Sequence, residues 1–211
     1  MMQAGGECML RIYYADVSAL PENPEGLPLS RYRLEQLNRV RPALCRRQSI
    51  GAELLLIRAL RDYAGAPDLP LDILTEQGGK PYLACGTPHF SLSHSGRFAA
   101  CALSDEALGL DIQLQSPCRE SLVHRFFAPE EQRYVLASED RDAAFTEIWS
   151  KKESRLKADG TGLTMELSAF SVLDWSEGER IWHTRVGELH LSVCVSEGNP
   201  RPDCLNLLEL P

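Results

Sequence analysis

The sequence predicts an α+β protein made of two similar halves, each with a long helix packed on a three-stranded antiparallel sheet, related by pseudo-twofold symmetry. A long helical pattern followed by three short strand patterns occurs twice along the 211 residues, and this repetition carries the prediction. The length suits one large domain or two small ones that share an interface. We expect residues 1–105 to form the first half and residues 106–211 the second.

Local signals place the elements of the first half. Apolar residues alternate over residues 10–16, which is typical of a strand, and Ser30 is a good N-cap for a short helix. Pro42 suits the first turn of a longer helix that Gly65 can end, and a loop is expected around Lys80. Three strands then fit residues 90–93, 97–103 and 108–115.

The last of these strands alternates without a break. Asp111 and Gln113 therefore share one face, while leucine and isoleucine side chains occupy the other. In the second half, Pro129 opens a short helix, and a longer helix over residues 142–158 ends at Gly160. Strands are then expected over residues 169–173, 181–185 and 188–195.

Composition and charge narrow the class of protein. The chain is 44% hydrophobic and 25% charged, as expected of a soluble globular protein, and no apolar run is long enough to span a bilayer. The N-terminus carries Glu7 and no basic residue before the first strand, so it is not typical of a signal peptide, and we expect a cytoplasmic protein. A net charge of −8 argues against nucleic-acid binding.

Cysteine and histidine spacing gives no sign of a transition-metal site. The seven cysteines include no closely spaced pair, so we expect them to be reduced and mostly buried. The five histidines lack HExxH-like spacing. A hard-cation site built from carboxylates stays open.

Two basic islands stand out on this acidic chain. Six arginines lie between residues 31 and 47, and Lys151, Lys152, Arg155 and Lys157 form the second island. Such islands indicate a local anionic ligand, although solvated helix faces are the alternative.

Trp149, Glu153 and Lys157 are spaced four residues apart and share one helix face. An ordinary ion pair is the simple interpretation. If Asp111 and Gln113 meet Glu153, however, three oxygen ligands surround one point, which suits Mg²⁺ and a bound pyrophosphate. Lys157 would then lie beside the metal, where charge develops on a leaving phosphate.

His94 lies at the end of a serine-rich strand. It can be structural, and a Ser-His hydrolase is not indicated because the G-x-S-x-G elbow is missing and adjacent strand residues face opposite ways. Contact with a phosphate is the interpretation we favour.

Five motifs occur in the order found in the Sfp-type 4'-phosphopantetheinyl transferases, and the chain resembles that family from about residue 47 to residue 173. The motifs are Gly79-Lys80-Pro81, Phe90-Ser-Leu-Ser-His94-Ser-Gly96, Gly109-Leu-Asp111-Ile-Gln113, Arg125-Phe-Phe127 with Glu131, and Trp149-Ser-Lys-Lys-Glu153-Ser-Arg-Leu-Lys157-Ala-Asp-Gly-Thr-Gly162-Leu. The third and fifth motifs are highly specific in combination. The resemblance implies a pseudo-dimeric monomer with one site between its halves.

The resemblance also implies roles for single residues. Asp111 and Glu153 look like the Mg²⁺ ligands, and Glu153 is similar to the base that takes the proton from a carrier-protein serine. Lys157 resembles the lysine that stabilises the departing 3',5'-ADP. Positions that grip coenzyme A are matched by Arg47, Lys80, Ser93 and His94. The first half would bind coenzyme A, and the second would carry Mg²⁺ and the catalytic residues.

The chain departs from the family at Gln113, and the resemblance also implies a surface that binds a partner protein. Many relatives have an acid where this chain has Gln113, whose amide can offer one oxygen to Mg²⁺ or hold a metal-bound water. The partner is expected to be an apo acyl or peptidyl carrier protein with acidic helices, and Phe126 and Phe127 could form the apolar centre of its docking surface. Ordinary core packing is the alternative for these two rings.

Two other functions stay open. A degenerate relative could bind coenzyme A or a carrier protein without catalysis, and Gln113 is the feature that favours it. An unrelated Mg²⁺-dependent phosphotransferase or nucleotidase is the second, although the G-x-x-x-x-G-K-[ST] phosphate loop is absent.

Overall fold

The structure is a computed structural model that describes residues 9–160, 166–173, 181–196 and 201–210. The helices of these residues are α1 Arg31–Arg39, α2 Ala43–Ala64, α3 Glu120–Phe126, α4 Pro129–Ala137 and α5 Arg141–Asp159, and a 3₁₀ turn lies at Leu167–Ala169. Their strands are β1 Leu10–Asp16, β2 Ile73–Thr75, β3 Pro81–Leu83, β4 His89–Ser95, β5 Phe98–Ser104, β6 Leu108–Leu114, β7 Ile181–Val186, β8 Leu189–Val195 and β9 Cys204–Leu207. The predicted α+β class is confirmed.

The two larger sheets have corresponding strand orders, apart from the extra strand β9 in the first. The first runs β4-β5-β1-β9 and the second β6-β8-β7. In each, a strand that precedes the helices pairs antiparallel with the second strand of a later hairpin, β1 with β5 and β6 with β8. The strand orders therefore correspond, and the pseudo-twofold axis between the halves stays a prediction.

Two expectations about strands were wrong. The strand over residues 108–115 was grouped with the two strands before it, although the expected boundary at residue 105 places it in the second half. In the structure β6 hydrogen-bonds to β8 in the second sheet, because alternation identifies a strand and not its neighbour. Residues 169–173 were expected to be a strand, but the carbonyl groups of Leu167 and Phe170 accept hydrogen bonds from Lys152 instead of from a neighbouring strand. The loop expected around Lys80 is confirmed, and it joins β2 to β3 in a hairpin that was not expected.

The last strand, β9, was not foreseen. It pairs parallel with β1 at the edge of the first sheet, so the chain returns from the second sheet to the first. Four residues without a clean alternating pattern give little strand signal of their own. The division into residues 1–105 and 106–211 is therefore kept as a proposal.

Three apolar clusters hold these layers together. In the first, α2 packs on one face of the first sheet through residues such as Leu55, Leu56 and Leu103. The second lies between the sheets and includes Ile12 and Leu110. The third joins α3, α4 and α5. Apolar burial of this kind is the main stabilising term in folding.

The predicted helix-end signals at Ser30 and Gly160 are confirmed, and Asp140 is a further cap. The Ser30 hydroxyl accepts a hydrogen bond from Arg33 N at 3.1 Å, and Asp140 caps α5 through Ala143 N at 3.0 Å. Gly160 ends α5 with a φ of +67°, a left-handed conformation that glycine adopts without a Cβ clash. Pro42 is the N-cap residue of α2 and not a first-turn residue.

Two further observations concern the described residues. None of their helices is long and apolar enough to cross a membrane. The six cysteines among these residues form no disulfide with one another. The expectation that most would be buried was wrong, because Cys101 and Cys194 are buried, Cys85 is exposed and the other three are partly buried.

Candidate active site

The candidate site lies where β6 crosses α5, and a glycine permits the close approach. A Cβ on Gly109 would overlap backbone atoms of α5, namely Ser154 O and Ala158 N. No side chain fits there, so the strand backbone rests directly on the helix. Asp111, two residues along the strand, therefore faces the same helix.

Asp111 is the centre of a hydrogen-bonded cluster. Its carboxylate is 3% exposed. The Oδ1 atom accepts from Ser93 Oγ at 3.0 Å and from Lys157 Nζ at 2.8 Å, and Oδ2 accepts from Gln113 Nε2 at 3.0 Å. Four residues singled out in the sequence, from three separate elements, are thus brought into contact.

Glu153 lies one helical turn before Lys157, and both line a cavity of about 270 Å³. Burial raises the pKa of the Glu153 carboxyl, and the nearby Asp111 charge raises it further, while Lys157 opposes both effects. Two carboxylates and one ammonium group therefore share a small volume. A carboxyl with a raised pKa in such a site is suited to accept a proton.

Lys80 borders the same cavity but is tied to the backbone. Its ammonium group donates to Leu108 O at 3.0 Å and to Ala158 O at 3.4 Å, so it joins the start of β6 to the last turn of α5. Burial lowers the Lys80 pKa, although the Glu76 and Asp159 carboxylates oppose the effect. The hairpin turn also presses on this helix end, because a Cβ on Gly78 would overlap Gly160 O.

His94 and a residue that sequence reasoning missed, Arg33, lie near the cluster. The His94 side chain is solvent-accessible, yet its crowded surroundings and then the Lys157 and Arg33 charges lower its pKa. Arg33 is almost fully buried and pairs with Glu53 at 3.2 Å. The arginine-rich segment indicated an anionic ligand, but its six similar arginines did not show which one turns inward.

Arg47 is engaged away from the Asp111 cluster. Its Nη2 atom pairs with Glu22 at 3.0 Å, with 31% of the side chain exposed. The Nε atom is buried without a hydrogen-bond partner among the described residues. Arg47 thus retains one unused donor.

Lysines of the second basic island mostly form ion pairs within the fold. Lys152 forms a buried ion pair with Glu131 at 2.8 Å, and Lys151 pairs with Glu147 on the same helix. Lys157 is the member of its island that reaches Asp111. Glu131 also accepts a hydrogen bond from the backbone N–H of Val172, so the acid of the fourth motif joins Lys152 of the fifth motif to the chain that follows α5.

Phe126 and Phe127 differ in burial. Phe127 is fully buried and stacks on Phe145 with ring centroids 5.6 Å apart, so it is core and not docking surface. Phe126 is half-buried and packs edge-on against Trp149 at 5.8 Å. Trp149 therefore belongs to this aromatic cluster, whereas Glu153 and Lys157 line the cavity.

Comparison with known proteins gives one family and several relatives. The model of the 4'-phosphopantetheinyl transferase superfamily matches residues 107–202. The chain is 35% identical to 4'-phosphopantetheinyl transferase AcpT of Salmonella typhi over 152 residues, which cover 69% of this chain and 74% of that protein.

Two relatives come from Bacillus subtilis. One is a 4'-phosphopantetheinyl transferase that is 35% identical over 129 residues, 60% of this chain and 57% of that protein. The other is 4'-phosphopantetheinyl transferase Sfp of strain 168, also 35% identical, over 50% of this chain and 48% of that protein. The chain therefore spans about half the length of the Bacillus relatives it matches.

Proposed function

The chain belongs to the 4'-phosphopantetheinyl transferase superfamily, and we propose that it transfers the phosphopantetheine arm of coenzyme A to a serine of an apo acyl or peptidyl carrier protein, releasing 3',5'-ADP. One observation carries the proposal. Asp111 and Lys157 meet at 2.8 Å beside Glu153, on the strand and helix that bear the family's most specific motifs.

The donor set fits Mg²⁺. Asp111, Glu153 and Gln113 offer oxygen atoms, which hard cations prefer. Asp111 already accepts one cationic group, and its charge raises the Glu153 pKa, so the cluster holds negative charge that a divalent ion would neutralise. The described residues contain no group of three or more His, Cys, Asp or Glu side chains suited to a metal, in keeping with a glutamine at the third position.

In the proposed reaction Glu153 acts on the attacking serine and Lys157 acts on the leaving 3',5'-ADP. When bound, Mg²⁺ would stabilise the negative charge of the diphosphate. Glu153 accepts the proton of the carrier serine as its oxygen bonds to the phosphorus that bears pantetheine. The bond from that phosphorus to the 3',5'-ADP oxygen breaks, and Lys157 stabilises the charge left there.

Coenzyme A would lie along the contact between the two sheets. Lys80 lines the cavity, and Ser93 and His94 lie beside Lys157, which lines it too. Arg47 is the fourth proposed phosphate contact, and its guanidinium would share its charge between Glu22 and the phosphate. In this proposal residues 1–105 supply most coenzyme A contacts and residues 106–211 the catalytic groups. We further propose that the enzyme is monomeric and cytoplasmic. We also propose that it binds neither nucleic acid nor membrane, because a net charge of −8 disfavours contact with polyanions and with anionic lipid.

Intact mass spectrometry of a carrier protein tests the function. An apo carrier is incubated with this protein, coenzyme A and Mg²⁺, with Glu153→Ala and a chelator as parallel controls. We expect a gain of one phosphopantetheine mass that is lost in both controls. Failure with several carrier classes, while coenzyme A still binds, would contradict transfer.

That outcome would favour the second candidate, a coenzyme A or carrier-binding module without catalysis. Gln113 is the observation behind it, since a neutral side chain stands where many relatives have an acid. Melting curves with coenzyme A or ATP, each plus Mg²⁺, also test the nucleotidase alternative, because a ligand that binds the folded protein raises the melting temperature.

The role of Gln113 is open to a separate test. Its amide nitrogen donates to Asp111, which leaves its oxygen for the cation or for a metal-bound water. Gln113→Ala should retain transfer but require more Mg²⁺ for half-maximal rate. An unchanged Mg²⁺ requirement would show that Gln113 is not a ligand.

A further inference from the structure

The free edges of the two sheets face each other along β4 and β6. Each is the outermost strand of its sheet. Three serine hydroxyls on β4 accept hydrogen bonds from three backbone N–H groups of β6: Ser91 from Leu110 at 2.9 Å, Ser93 from Ile112 at 3.1 Å, and Ser95 from Leu114 at 2.9 Å. We name Ser91, Ser93 and Ser95 the serine ladder. Each pair is 19 residues apart, so the two strands run in the same direction.

The carbonyl groups of the same strand edge are met by lysines. Lys80 donates to Leu108 O and Lys157 donates to Leu110 O, both at 3.0 Å. On an antiparallel strand, the N–H and C=O of one residue point to the same side. These five backbone groups on the open edge of β6 are thus paired with side chains from β4, from the loop of the β2–β3 hairpin and from α5.

The middle serine connects this edge to the candidate active site. Ser93 Oγ accepts from Ile112 N and from Lys157 Nζ and donates to Asp111 Oδ1. A hydroxyl has one donor and two acceptor positions, so Ser93 is fully used. Any sliding of β4 along β6 would move Ser93 away from Asp111.

We propose that the outer serines, Ser91 and Ser95, are positioning residues for the transfer reaction. They hold β4 in register with β6 and so fix Asp111, Ser93 and Lys157 relative to one another. This inference rests on the proposed transferase activity. Because a displacement of about 1 Å can cost a factor of about 100 in rate, a loosened register should lower kcat more than it changes KM for coenzyme A.

Ser95 is the better test position, because Ser91 also lines the cavity. Ser95→Ala removes the acceptor for Leu114 N, while Ser95→Thr keeps a hydroxyl. Ser104→Ala is the matched control, since the buried Ser104 hydroxyl likewise accepts a backbone N–H, from Glu106, but lies outside the ladder. All are assayed for kcat and KM well below their melting temperatures.

We expect kcat of Ser95→Ala to fall about tenfold, kcat of Ser95→Thr to recover, and Ser104→Ala to keep the wild-type kcat. Equal kcat for Ser95→Ala and Ser104→Ala would overturn the proposal. If Ser95→Ala does not fold, hydrogen exchange of the wild-type Leu110, Ile112 and Leu114 amides decides, because fast exchange there would show that the ladder does not hold. A wild-type protein inactive in the mass assay would instead contradict the transferase proposal.

Discussion

At the scale of single residues, the candidate site is governed by the balance of charge around Asp111. Lys157 and Gln113 occupy both oxygens of this buried carboxylate, while Glu153 adds a second negative charge nearby. A buried charge without a partner is costly, so the ammonium group of Lys157 holds the cluster together when no other cation does. A divalent cation and Lys157 would therefore share the same carboxylate.

Glu153→Gln tests the proton acceptor. The substitution keeps the size of the side chain but removes its basicity, so the transfer rate should fall by about 100-fold or more while coenzyme A still binds. Asp159→Asn, an exposed acid on the same helix, is the control and should retain activity. Steady-state rates with calorimetric binding of coenzyme A measure both effects. A Glu153→Gln enzyme as fast as Asp159→Asn would rule Glu153 out as the base.

Lys157→Met tests the shared carboxylate. The variant should be less stable by about 2 kcal/mol when the metal is chelated, since Asp111 loses its cationic partner at a position 32% exposed on the lysine side. Mg²⁺ should restore part of this loss. Urea unfolding with chelator and with Mg²⁺ gives the comparison. Equal loss of stability in both conditions would argue against a cation at Asp111.

The sequence identified most of this site but not its contacts. Alternation along β6 placed Asp111 and Gln113 on one face, and helical spacing placed Glu153 with Lys157, because both signals are local. The inward turn of Arg33 and the backbone contacts of Lys80 depend on tertiary packing. A single sequence carries no local signal for either.

At the scale of elements, close backbone approach and one buried ion pair set the position of α5. Gly109 lets β6 lie against the helix. On the opposite side Lys152, which is 1% exposed, reaches Glu131 and the carbonyl groups of Leu167 and Phe170. The helix is thus fixed between the second sheet and the chain that follows it.

Lys152→Met should cost about 3–5 kcal/mol, because it leaves the Glu131 carboxylate buried without its cation. Arg141→Ala is the contrasting variant. It breaks an ion pair with Glu120 whose side chains are 51% and 62% exposed, and it should cost less than about 1 kcal/mol. Chemical denaturation of both variants at neutral pH measures the difference. If both variants lost a similar free energy of unfolding, the buried Lys152–Glu131 pair would not stabilise the fold more than the exposed pair does.

The helices and strands were easier to predict than the pairing of the strands in sheets. Capping residues and periodicity gave α1, α2 and α5 nearly as observed, since those signals are read along the chain. The sheet to which β6 belongs and the pairing of β9 with β1 depend on contacts between distant residues. Residues 161–163 of the fifth motif lie outside the described residues.

At the scale of the whole molecule, stability should depend on a histidine pair in the second sheet. His183 Nε2 and His190 Nδ1 lie 3.2 Å apart, one on β7 and one on β8. Burial lowers the pKa of His183 to about 4, although the Glu147 carboxylate opposes the effect, and burial also lowers the pKa of His190. Both rings are therefore neutral in the folded protein at pH 7.

The folded protein should lose stability as the pH falls from about 6.5 towards 4. In that range the unfolded chain binds protons that the folded His183 ring excludes, so the free energy of unfolding decreases with falling pH. The loss should be about 2 kcal/mol, given the partial exposure of His183. Urea unfolding at pH 7 and pH 4 measures this loss, and His183→Gln should flatten the dependence. An unchanged slope in the variant would contradict this account.

The most direct test of the central claim is a crystal structure of the protein with coenzyme A and Mn²⁺ in place of Mg²⁺. Anomalous scattering would locate the ion. We predict one Mn²⁺ bound by Asp111 and Glu153, with the diphosphate of coenzyme A beside it and Lys157 in contact with the phosphate. An ion that contacts neither carboxylate, or coenzyme A bound away from Lys157 and His94, would contradict the proposed active site.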